Sequence, residues 1–200
     1  MNFKYIALFI FSNFLYSSDL TDEQLEKIKQ VTEDVNTASD FTLKVVQSDF
    51  PESYTLSNMK DKVILVNFWA TWCGPCRLEI PDFNELYNKY NEKGLEIVSI
   101  SISDTKDQLL NFLKAYKIDY PVLYGTPAEI QKVVVDYGGV YSIPMSFLIG
   151  PENQILRIYP GAILKQYDPN MFADLVYNIE NSINQLAEKK MIEIEKNNSN

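Results

Sequence analysis

Residues 63–70, VILVNFWA, form an almost unbroken apolar run that leads through Thr71 and Trp72 into Cys73-Gly74-Pro75-Cys76. A run of this kind is what a central strand buried on both faces requires. Pro is tolerated in the first turn of a helix, so the stretch predicts strand, turn and helix, with both cysteines at the junction. The chain has no other cysteine. The pair can serve as a staple, as half of a metal site, or as a redox couple. As a staple it achieves little, because closing a four-residue ring is worth about 2 kcal/mol. Geometry permits the bridge, since residues three apart at a helix start lie about 5 Å apart at Cα. Structural zinc takes four ligands, usually Cys or His, and the chain contains no histidine. Only a site completed by carboxylates, or shared between chains, remains for a metal. Covalent haem attachment needs a histidine directly after the second cysteine, where Arg77 stands. The redox couple is left.

Composition bounds the rest. The chain is 46% hydrophobic with 11 Phe and 13 Tyr, enough for a substantial core in one domain with extensions. Its formal net charge of -9, without a basic stripe, argues against nucleic acid as a partner. Residues 1–18 read as a signal peptide or an N-terminal membrane anchor. Lys4 precedes the apolar stretch 5–16 (YIALFIFSNFLY), then Ser17 and Ser18 follow. That stretch is shorter than the ~20 residues of a spanning helix. Leu15 and Tyr16 spoil a clean small-x-small cleavage pattern, so an uncleaved anchor stays open, and no cysteine there can carry a lipid. Either reading puts the redox site outside the cytoplasm, where disulfides persist. Residues 19–40 read as a helical extension, with a Thr21–Gln24 capping box ahead of Leu25, Ile28, Val31 and Val35.

Periodicity divides the remainder. FTLKVV (41–46) and LEIVSISI (95–102) read as strands, and a helix is expected over about 73–93. Leu109, Phe112, Leu113 and Tyr116 fall at helical spacing, with Asp104 as N-cap. PVLY (121–124) is a short strand, and 127–136 is helical. MSFLI (145–149) and QILRIY (154–159) flank Gly150-Pro151-Glu152-Asn153 as a hairpin. Asp168-Pro169 starts a last helix carrying Phe172, Leu175, Val176, Ile179 and Ile183. Residues 187–200 are rich in Lys, Glu and Asn and are expected to fray. The domain proper is then 41–186, an α/β fold with a mixed sheet flanked by helices.

Phe68-Trp69-Ala70 followed by Trp72-Cys73-Gly74-Pro75-Cys76, at a strand-to-helix junction, resembles the active site of the thioredoxins. An insertion at about 103–126, Glu79 three residues after Cys76, and SIPMSFLIG (142–150) are similar to the extracytoplasmic TlpA/ResA-like branch of that superfamily. The resemblance implies a thioredoxin fold, and it implies that the Ile143-Pro144 bond is cis and faces the cysteines, with the Ile143 backbone available to a substrate strand. The chain departs from the usual pattern at Met145, where family members often carry Thr.

A cysteine at a helix N-terminus has unpaired N–H groups and the macrodipole to stabilise its thiolate. Cys73 is therefore the expected nucleophile and the more exposed thiol, and Cys76 the resolving one. Gly74 and Pro75 put no bulky or charged side chain between them, so nothing specially stabilises the reduced form, and the couple should be reducing. Resolution needs a proton acceptor. Glu79 lies on the same helix face as Cys76, and Asn67 stands where thioredoxins carry a buried aspartate. Glu79 as the proton acceptor and Glu79 as a solvated helix glutamate both remain open. Trp72 is expected on the exposed rim that substrates meet, with Trp69 and Phe68 in the core. Pro81 should kink the helix near Arg77, and Arg77 is assigned no role.

The expected function is thiol-disulfide exchange, reducing disulfides of exported proteins. The resemblance implies substrates such as apocytochrome c and electrons from a membrane thiol donor, outside the cytoplasm of a bacterium, with no metal or organic cofactor. Two rivals differ in class. A peroxiredoxin-like thiol peroxidase needs a Pro-x-x-x-Thr/Ser-x-x-Cys setting that residues 67–72 do not supply. A non-catalytic binding module leaves the intact Cys-Gly-Pro-Cys and Glu79 without a purpose.

Overall fold

The structure, a computed structural model, describes residues 37–198. The expected signal or anchor segment (1–18) and most of the expected helical extension (19–40) lie outside the described residues.

Eleven main elements follow one another, with short 3-10 turns between some of them: β1 (Thr42–Val45), β2 (Ser53–Thr55), β3 (Val63–Trp69), α1 (Gly74–Tyr90), β4 (Leu95–Ser101), α2 (Lys106–Leu113), β5 (Val122–Tyr124), α3 (Pro127–Asp136), β6 (Met145–Ile149), β7 (Ile155–Pro160) and α4 (Pro169–Asn198). The strands make one sheet in the order β2-β1-β5-β4-β3-β6-β7. Strands β3, β4 and β5 run parallel, as βαβ connections require. The β6–β7 hairpin joins antiparallel to β3, and β1 joins antiparallel to β5.

The apolar runs 63–69 and 95–101 are buried at every position, because the sheet is covered on both sides. Alternation along β3 divides them. Leu65 and Trp69 meet Phe83 and Leu86 of α1 and Leu175 and Ile179 of α4. Ile64, Val66 and Phe68 meet Ile130 and Val133 of α3, with Tyr137 and Phe147. Phe68, Tyr137 and Phe147 pack edge to face, with ring centroids 5.1–5.8 Å apart. Trp69 and Phe68 are core residues, as expected.

Phe83 is 1% exposed and lies between sheet and helix layers. Phe83→Ala is expected to destabilise the fold by about 3–5 kcal/mol, seen as a lower urea midpoint with an unchanged slope.

The helix expected over about 73–93 is found, its last residues as a 3-10 turn (Asn91–Lys93). It begins at Gly74, with Cys73 as its N-cap, and continues through Pro81 to Tyr90. Three other expectations need correction. The N-cap of α2 is Thr105, not Asp104. Thr105 and Gln108 close a reciprocal capping box, and the helix ends at Leu113, before Tyr116, which stacks on Phe112 instead. The edge strand β2 has no counterpart in the sequence reading, since SYT is too short to show alternation. The tail expected to fray from residue 187 is helical to Asn198. Residues 187–197 are all exposed, so continuous backbone bonding carries the helix past its last buried side chain, Leu186. Among the described residues no helix is long and apolar enough to cross a membrane.

Candidate active site

The site forms where β3 ends. Three residues, Ala70 to Trp72, carry the chain from β3 to Cys73, whose N–H donates to the Ala70 carbonyl at 3.1 Å. Cys73 takes an extended backbone conformation as N-cap, and Pro75 sits in the first turn of α1, where its missing N–H costs nothing. Cys73 and Cys76 form a disulfide with Cα atoms 5.3 Å apart. The Cys76 N–H, one of the first-turn donors without a helical partner, points at Cys73 Sγ from 3.2 Å. An anion at that sulfur would be met by this donor and by the positive end of α1.

The expected order of exposure holds only narrowly in this disulfide form, where both cysteines are buried. Cys73 is 5% exposed and Cys76 is 3% exposed. Position separates them more clearly. Cys73 Sγ lies 3.9 Å from the Ile143 carbonyl oxygen, and Cys76 is one turn inside the helix. The Ile143–Pro144 peptide bond is cis. Ile143 is half-buried and Pro144 buried at the start of β6, while Gly74 is half-buried and Pro75 is exposed. Trp72 is 65% exposed, and its Nε1 donates to Ser103 Oγ at 3.0 Å.

Glu79 is 1% exposed, which excludes the solvated-glutamate reading. Its Oε1 accepts the Ile163 N–H at 2.6 Å, while Oε2 has no hydrogen-bond partner. Burial pushes the carboxyl up to about 8. The Ile163 amide and the Asn67 side chain pull against that shift, and Asp82 adds to it. A carboxyl held there is matched to a thiol near 8.5, so a proton can pass between them with little change in free energy. Asn67 falls on the α1 face of β3, 3% exposed, and its Nδ2 donates to Ser146 Oγ of β6 at 3.0 Å.

Sequence reasoning missed three contributors. Ile163 acts through its backbone from 84 positions away, and no local signal marks it. Ser146 lies within an apolar strand. Asp104 does have a signal: Thr105-x-x-Gln108 is itself a capping box, which leaves the neighbouring aspartate free for other work.

The sequence pattern of the AhpC/TSA family matches residues 35–158, more than half of the chain. The chain belongs to the AhpC/TSA family. Within that family it is similar to the thiol-disulfide oxidoreductase ResA of Bacillus subtilis, 31% identical over 131 residues, which cover 66% of this chain and 71% of that protein. It is also similar to the ResA of Bacillus thuringiensis, 39% identical over 111 residues. That match covers 56% of this chain and 62% of the relative, so the chain spans less than two thirds of that relative's length. Among solved structures, a thioredoxin-family thiol:disulfide interchange protein from Chlorobium tepidum superposes with a TM-score of 0.60 at 27% identity, covering 74% of this chain and 96% of that one. The expected thioredoxin fold and the expected ResA-like kinship are both borne out.

Proposed function

We propose that this protein is a thiol-disulfide oxidoreductase that reduces disulfides of exported proteins outside the cytoplasm. The observation that carries the reading is the Cys73–Cys76 disulfide at the start of α1, with the buried Glu79 one turn further along the same helix. In the reduced protein the Cys73 thiolate attacks one sulfur of a substrate disulfide. A mixed disulfide forms, and the other substrate sulfur leaves as a thiolate that takes a proton. Glu79 then accepts the Cys76 proton, and Cys76 attacks Cys73 Sγ. The second substrate thiol is released, two electrons have passed to the substrate, and the enzyme disulfide is restored. A dithiol donor must reduce it again, and a membrane thiol donor meets that need. Trp72, Gly74, Pro75 and the Ile143–Pro144 segment form the surface on which the substrate strand lies. The apolar segment 5–16 supports export or anchoring, and the names of the ResA relatives support the reaction class.

The experiment is insulin reduction in the presence of dithiothreitol, paired with equilibration of the cysteine couple against thiol redox buffers. Accelerated insulin precipitation and a potential near the thioredoxin value of about −270 mV are expected. A potential near about −120 mV would reverse the direction of electron flow. Peroxide consumption without insulin reduction would instead favour the peroxidase reading, and inactivity in both assays would favour a binding module.

A further inference from the structure

We propose that Asp104 is a positioning residue for Cys73: acting through Thr71, it fixes the three-residue segment from which the nucleophile is presented. This rests on the thiol-exchange reading above, with Cys73 as the attacking group. Asp104 is 8% exposed. Its Oδ2 accepts the Thr71 N–H at 2.8 Å and the Ser101 hydroxyl at 2.8 Å, and its Oδ1 accepts the Thr71 hydroxyl at 2.6 Å. Its own N–H donates to Ser101 Oγ at 3.1 Å. The helix that follows makes no demand on this carboxylate, because Thr105 and Gln108 cap it.

Both backbone and side chain of Thr71 are therefore tied to one buried carboxylate, two residues before Cys73. The neighbouring Trp72 is tied to the same β4–α2 loop through Ser103. Just before them, the Ile102 N–H donates to the Trp69 carbonyl at 3.0 Å. The junction from Trp69 to Trp72 is thus held on residues 101–104. Held there, Cys73 Sγ stays aligned with the first-turn N–H groups of α1, on which its thiolate depends. Released, the sulfur loses that alignment, its pKa drifts toward the free value, and attack slows at neutral pH.

The prediction separates positioning from charge. Loss of a nearby negative charge alone would lower the Cys73 pKa, in Asp104→Ala and Asp104→Asn alike. Loss of position raises it in Asp104→Ala only. The Asn amide can accept from Thr71 N–H and Ser101 with its oxygen, and can donate to the Thr71 hydroxyl with its nitrogen. The test is the pH dependence of Cys73 alkylation in the full-length reduced protein, together with kcat/KM for insulin reduction. Asp104→Ala is expected to lower kcat/KM about tenfold and raise the alkylation pKa by about half a unit, with Asp104→Asn close to wild type. If Asp104→Ala does not fold, Thr71→Val, which loses only the hydroxyl bond, is expected to lower kcat/KM about threefold in the same direction. Unchanged kinetics and alkylation in a folded Asp104→Ala or Thr71→Val protein overturn the proposal, as does a pKa lowered equally in the Ala and Asn variants. A wild type that exchanges no disulfides fails the functional reading itself, a result seen before any variant is made.

Discussion

Cys73→Ser is expected to lower disulfide reduction by roughly ten-thousandfold or more, the scale on which removal of a covalent nucleophile acts. Cys76→Ser is expected to fail differently. Attack by Cys73 still occurs, but no thiol resolves the product, so protein and substrate accumulate as a mixed disulfide visible on a non-reducing gel. The structure gives the reason for the asymmetry. Cys73 Sγ faces both the first-turn N–H of α1 and the Ile143 segment where a substrate would lie, whereas Cys76 sits one turn inside the helix. Stability should respond far less than activity. Opening a four-residue ring removes about 2 kcal/mol of unfolded-state constraint, so both variants remain folded. A Cys73→Ser protein that kept its rate would remove Cys73 from the mechanism.

Glu79→Gln is expected to change two pH dependences at once. In the folded oxidised protein Glu79 keeps its proton up to about 8, against a usual value of 4.5, because burial disfavours the charged form. The unfolded chain releases that proton near the usual value. Between these two values the folded state binds more protons than the unfolded state, so stability falls as pH rises through the window. The full loss is on the order of 5 kcal/mol by about pH 8 to 9. The substituted amide has no charge to bury, and its oxygen can still accept the Ile163 N–H. Wild type and variant should therefore unfold at similar urea concentrations near pH 4.5, and the variant should be the more stable near pH 9. Turnover moves the other way. Without a carboxylate to take the Cys76 proton, resolution is expected to slow about 10²-fold, with the deficit shrinking as hydroxide takes over at high pH. Kinetics unchanged from pH 6 to 9 would remove Glu79 from proton transfer, even if the stability effect held.

Local chemistry made part of the site readable in advance. Cysteines three apart after a buried strand admit few structures, and Pro75 and the apolar run placed them at a helix start. Pro144 was recognised through family resemblance, since nothing in the dipeptide itself distinguishes a cis bond from a trans one. Other features were ambiguous because one residue type fits two local roles. Asp104 reads as a helix cap by its position, yet Thr105, one residue on, caps α2 and leaves Asp104 to hold Thr71. The tail reads as frayed because it is rich in Lys, Glu and Asn, but helix propagation adds one bond per residue without needing a buried face.

By itself the sequence determined the βαβ core and its β-hairpin, the two thiols and their spacing, and the exclusion of a four-thiol or histidine metal centre. These follow from periodicity, composition and counting, which act within a few residues. Only the tertiary structure decided that Glu79 is buried. A glutamate three residues after Cys76 could equally face water, and its environment is made by Asn67 on β3 and by the Ile163 backbone in the loop between β7 and α4. The cost of burying a charge depends on everything packed around it, and here those neighbours come from segments far apart in the chain.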